Sequence, residues 1–101
     1  MCGAQPGGPD IDGVDLTRAA VVQGRVMCDG VPVAGAYVRL LDPAGDFVAE
    51  VPTSTDGAFR FFPADGGWTV RALARGGSAE RTVVARTGAI TEVQVEVPSA
   101  K

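Results

Sequence analysis

Few side chains in this sequence could do covalent chemistry, and the ones that stand out are two thiols: Cys2, in Met1-Cys2-Gly3, and Cys28, just before Asp29-Gly30. The chain contains no histidine. A serine or cysteine nucleophile would therefore lack its usual imidazole base. Two cysteines without an imidazole also make a poor zinc site, because a tetrahedral centre would have to borrow carboxylates or a second chain. Removal of Met1 would leave Cys2 as an amino-terminal residue, and a thiol beside a protonated amine favours the thiolate, the nucleophilic form. Cys28 reads instead as a half-buried small apolar residue, since free cysteine packs like a hydrophobe. A disulfide between them needs the leader to fold back, and a reducing compartment argues against a permanent one.

The carboxylates do not assemble into an acid-base pair. Asp42 and Asp46, like Asp56 and Asp65, fall in turn sequences, where aspartate is favoured for its hydrogen bonds to nearby backbone. Asp10-Ile11-Asp12-Gly13-Val14-Asp15 resembles half of a calcium loop, yet Val21 stands where the twelfth-position carboxylate belongs. It is expected to be a solvated acidic lead-in. Neither a metal nor a cofactor is expected. Trp68 and Tyr37 could make a carbohydrate platform only if both faced outward, and alternation puts Trp68 on the core face.

These residues must be positioned by one small domain. The 101 residues and 10.3 kDa suffice for a core without metals or disulfides. Twelve acidic and nine basic residues give a net charge of -3, with the basic ones scattered singly, so nucleic-acid binding is not expected. No apolar run approaches the ~20 residues that span a bilayer, and no signal segment precedes Cys2, so no membrane association and a cytoplasmic location are expected.

Alternation and turn signals divide the chain into seven strands. They cover residues 21–27, 36–42, 47–51, 58–62, 68–73, 79–85 and 90–97, with little helix. Residues 1–20 are expected to form a mobile arm and lead-in, 21–97 the body and 98–101 a tail. The organising stretch is Ser54 to Leu73. There Asp56-Gly57 carries the signature of a type I′ turn, and Phe59, Phe61, Trp68 and Val70 point toward Val38 and Leu40. Gly24 in mid-strand suggests a bulge or a close backbone approach, and Pro52 places its strand at a sheet edge. Arg60, Arg71, Glu92 and Glu96 point outward as guards against edge pairing. Leu41, Phe62 and Leu73 also fall on nominally outward positions. With Tyr37 they are the candidates for an apolar surface that a partner or a second copy of the chain could cover. The fold class is all-β, a seven-stranded Greek-key β-sandwich.

Two resemblances refine this reading. Gly24-Arg25-Val26, Pro32 to Leu40, Thr55 to Phe61 and Gly67 to Arg71 resemble the carboxypeptidase regulatory-like domain, a transthyretin-related sandwich, over about residues 21–97. Transthyretin-like hydrolases of ring ureides use histidine, so that activity cannot be carried over to this chain. Along the whole chain, Met1-Cys2, Asp15-Leu16, Val38 to Asp42, Glu50, Phe59 to Phe62 and Trp68 to Leu73 resemble a small family of unassigned function from high-GC Gram-positive bacteria. Its genes usually lie beside a rhodanese-type thiosulfate sulfurtransferase. The resemblance implies a non-enzymatic accessory to sulfur transfer, with Cys2 at the matching place as the acceptor of persulfide sulfur and the sulfurtransferase as partner. Cys28 is not part of that pattern. The alternative is a protein-binding or scaffold sandwich whose surface, rather than its thiol, does the work.

Overall fold

The computed structural model describes residues 6–8, 13 and 15–98. Eight strands follow one another: β1 Val21–Cys28, β2 Val31–Pro32, β3 Tyr37–Leu41, β4 Phe47–Pro52, β5 Ala58–Phe61, β6 Gly66–Ala74, β7 Gly77–Ala85 and β8 Ile90–Glu96. The seven expected strands are all present, and the two-residue β2 is the addition. No helix occurs among the described residues, and none is long and apolar enough to cross a membrane.

The strands form two sheets. In sheet I, β1 is central: β8 runs parallel along one side of it from Val21 to Met27. The other side pairs antiparallel with β5 over Val22 to Arg25 and with β2 at Met27 and Cys28. Sheet II is antiparallel in the order β4-β3-β6-β7. The chain thus begins in sheet I, crosses to build β3 and β4, returns for β5, crosses again for β6 and β7, and ends beside its first strand. These crossings give the sandwich its Greek-key character.

The organising stretch differs in one respect from its expected form. Asp56 is not in the left-handed region. Gly57 alone is, at φ 73°, and the hydrogen bonds Gly57 N–H to Ser54 O (2.9 Å) and Ser54 N–H to Ala58 O (3.1 Å) close a three-residue loop. This is a type I turn followed by a left-handed glycine. It carries the chain from sheet II to sheet I, so β4 and β5 are not a hairpin pair. The type I′ geometry belongs to Asp29-Gly30, with φ 52° and 80°, linking β1 to β2.

The core lies between the sheets, as the alternation predicts. Val22, Val26, Phe59, Phe61, Val93 and Val95 of sheet I meet Val38, Leu40, Val51, Val70 and Ala72 of sheet II, all buried. The rings of Phe59 and Phe61 are 6.1 Å apart and tilted by 50°. Trp68 is half-buried against this core and donates from Nε1 to Ala64 O at 2.8 Å, which satisfies its one polar atom. Gly24 is a site of close approach: a Cβ there would lie 1.6 Å from the Val93 carbonyl oxygen.

Candidate functional site

Of the thiols, Cys28 ends β1, half-buried and packed against the core cluster, and is a free cysteine. Cys2 lies outside the described residues, as do the acidic positions Asp10 and Asp12 and residues 99–101. Pro6 to Gly8 are described, and they are docked. The Gly7 N–H donates to Pro52 O at 2.8 Å, and Gly8 is buried so close to β5 that a Cβ would meet the Arg60 carbonyl oxygen at 2.2 Å. This part of the leader gains a backbone bond and burial, which its glycine and proline content did not suggest.

The outer face of sheet II carries two of the four apolar surface candidates, Tyr37 and Leu73. Tyr37 is 53% exposed, and its Cα partner Leu73 is half-buried. Leu41 does not belong to the surface: it is only 6% exposed. The ladder shifts between Leu40 and Leu41, leaving Val48 as an extra residue on β4 and setting Phe47 opposite Leu41. Such a bulge turns the local strand more strongly, and Leu41 ends up enclosed between neighbours that simple alternation does not bring over it. Phe47 and Val48, at 59% and 50% exposed, take its place. Phe62 is half-buried elsewhere, following β5 beside Arg18, Pro63 and Thr87. The candidates therefore do not form one patch.

Between the Tyr37 and Leu41 rows runs a charged row, Glu50-Arg39-Arg71-Glu80, in register across all four strands. Arg39 Nε donates to Glu50 at 2.7 Å, and Arg71 donates to Glu80 through Nε and an Nη, both at 2.8 Å. The Arg39 guanidinium also lies 5.8 Å from the Phe47 ring centroid. Arg71 is on an inner strand of the sheet, so it does not act as the edge guard expected of it.

The outer face of sheet I forms an open groove of about 620 Å³ above β1, walled by Gln23, Arg25, Ala58, Arg60, Glu92 and Gln94. One row across it is tied together. Arg60 Nε donates to Gln23 Oε1 at 2.8 Å, and Gln23 Nε2 donates to Glu92 at 2.9 Å. The adjacent row, Ala58-Arg25-Gln94, has no such ties. Sequence reasoning missed this groove because its polar residues looked like ordinary outward positions. A signal was present in Gly24-Arg25, a cation beside the strand's one glycine.

The far edges of the sheets close on each other. Thr91 Oγ1 donates to Val84 O and Arg81 Nη1 to Gln94 O, each at 3.0 Å, so β7 and β8 cap one another's edge carbonyls. Thr53, buried at 4% exposure, pins the β2–β3 link by donating to Val33 O and accepting from the Ala36 N–H. Among the described residues, no group of three or more cysteine, aspartate or glutamate side chains is arranged to hold a metal.

These features define a small β-sandwich with polar rows on both outer faces and residues 6–8 docked against it. A family model described as "Protein of unknown function (DUF1416)" matches residues 2–97, and the chain belongs to that family. An uncharacterized protein of Mycolicibacterium smegmatis is 50% identical over 86 residues, covering 84% of this chain and 96% of the relative. An uncharacterized protein of Mycobacterium tuberculosis is 47% identical over 85 residues, covering 83% of this chain and 85% of the relative. Among solved structures, a DUF3823 family protein from Parabacteroides merdae is similar with a TM-score of 0.60 at 20% identity. That match covers 79% of this chain and 46% of the other, a likeness of fold alone. The mycobacterial relatives and the family's unknown function agree with one part of the second resemblance, a family of unassigned function from high-GC Gram-positive bacteria.

Proposed function

We propose that this protein is a non-enzymatic, cytoplasmic accessory of sulfur transfer, in which Cys2 accepts persulfide sulfur from a rhodanese-type sulfurtransferase. What supports this reading is the sequence resemblance, which puts Cys2 at the family's matching position; the anchor of Gly7 on Pro52 bears on where that thiol can reach. Four residues lie between Cys2 and Gly7, so covalent geometry keeps the thiol within about 20 Å of that anchor. A partner reaching it would dock at the Pro52–Ser54 end of the sandwich. In the transfer the Cys2 thiolate attacks the outer sulfur of the partner's cysteine persulfide. The partner's S–S bond breaks, its cysteine leaves as a thiolate, and Cys2 carries the new S–S bond, with no external oxidant or reductant.

Intact-mass spectrometry after incubation with a competent sulfurtransferase and thiosulfate tests this. The expected product carries one added sulfur on Cys2, is retained in Cys28→Ser and is lost in Cys2→Ser. An unchanged mass with an active partner overturns it. Exposed Tyr37, Phe47 and Val48 favour a second reading, a scaffold that binds a protein through sheet II. Partner binding by the Cys2→Ser variant, together with no sulfur uptake by the unaltered chain, identifies the scaffold.

A further inference from the structure

Arg25 occupies the middle of the central strand of sheet I and is exposed. Each of the other strand arginines has a partner: Arg39 with Glu50, Arg60 with Gln23, Arg71 with Glu80 and Arg81 with the Gln94 carbonyl. Arg25 has no such bond among the described residues. In register beside it stand Ala58, too short to reach it, and Gln94, whose amide leans toward Glu96 at 3.5 Å. The small Ala58 opens the groove on one flank of the guanidinium. The bonded row Arg60-Gln23-Glu92 walls it on another. Its volume of about 620 Å³ is of the size that takes a small ligand.

We propose that this groove binds a carboxylate group, with the Arg25 guanidinium as its anchor. The planar fork of arginine matches the two oxygens of a carboxylate. The site does not suit a multiply charged anion, because Glu92 and Glu96 stand on the neighbouring strand and the chain is already net -3. The Gln94 amide oxygen, in register with Arg25, would accept from a hydroxyl or N–H on the same ligand about one strand spacing, ~4.8 Å, from the carboxylate, with Glu92 farther off on the diagonal. This site rests on Arg25 and its neighbours rather than on Cys2, and it stands or falls independently of sulfur transfer.

The carboxylate could belong to a small hydroxy acid or to a peptide chain end, and amide NMR titration separates the two. The probes are 4-hydroxybutyrate and acetyl-glycyl-glycine, each against its neutral amide. Saturable shifts at Gly24, Arg25, Ala58 and Gln94 with an acid but not its amide support the site, and whichever acid binds names the source. Arg25→Gln should weaken the response by about tenfold or more, the loss of one charge-assisted contact. Ala58→Leu should block it with Arg25 intact. Equal response to the amides, no response to either acid, or persistence in Arg25→Gln overturns the proposal.

Discussion

Arg39 and Arg71 are direct cross-strand partners on the two inner strands of sheet II, two like charges in register with no acid between them. Like charges opposite one another destabilise a sheet. The compensation comes from the flanks, where Glu50 and Glu80 on the edge strands each draw one arginine outward. The order Glu-Arg-Arg-Glu thus makes a neutral row from an unfavourable centre.

With side chains between 31% and 51% exposed, each ion pair alone is worth about 1 kcal/mol or less. Glu50→Gln or Glu80→Gln should cost no more than that, because the stranded arginine still feels the remaining glutamate. The double variant should lose more than the sum, since the arginine repulsion is then uncompensated. Added salt should recover part of the loss, and Arg71→Gln in that background should recover more. Urea unfolding at low and high ionic strength measures this, and strict additivity with no salt effect refutes it.

Gly24 sets the distance between β1 and β8. A Cβ at 1.6 Å from the Val93 oxygen and 3.2 Å from the Phe59 ring cannot be absorbed by a rotamer change, because the first obstacle is backbone. Gly24→Ala should cost about 3 kcal/mol or more and weaken the parallel pairing selectively. Hydrogen exchange would show amides of β8 losing protection before those of sheet II.

Thr53 does a job that its sequence context hides. Its hydroxyl is at once donor to Val33 O at 2.7 Å and acceptor from the Ala36 N–H at 2.9 Å. Thr53→Val keeps the shape and strands both backbone groups, a loss of about 1–3 kcal/mol, whereas Thr53→Ser should keep most of the stability. Thermal unfolding of the two variants separates a hydrogen-bonding role from packing.

What the sequence made legible follows from the range of the forces involved. The period-two pattern in Val38/Leu40 and Phe59/Phe61 records burial on one face, and it placed the core. The close approach at Gly24 was legible too, because glycine in a strand has few other uses. Turn type was less so. Asp-Gly occurs four times, at Asp12-Gly13, Asp29-Gly30, Asp56-Gly57 and Asp65-Gly66, and only the ladder on either side shows that Asp29-Gly30 closes a two-residue hairpin. Leu41 was misplaced because its burial depends on an extra residue, Val48, in a neighbouring strand. Arg25 became a candidate only when register showed that Ala58 and Gln94, rather than an acid, stand beside it.

The lead-in turn offers a test by pH. Asp15 Oδ1 accepts from the Thr17 hydroxyl at 2.6 Å and from the Thr17 N–H at 3.0 Å. These bonds, the hydroxyl one first, hold the carboxyl below the usual aspartate range although the residue is exposed. Because the folded value is the lower one, the turn's contribution is fully present above the ordinary aspartate pKa and fades as pH falls through the folded value. Carboxyl NMR titration should find Asp15 ionising below the usual aspartate range. Thr17→Val removes the larger cause and keeps the backbone donor, so it should move Asp15 most of the way back without reaching the ordinary value. A Thr17→Val variant whose Asp15 titrates as before would mean that the backbone N–H, rather than the hydroxyl, sets the acidity of this turn.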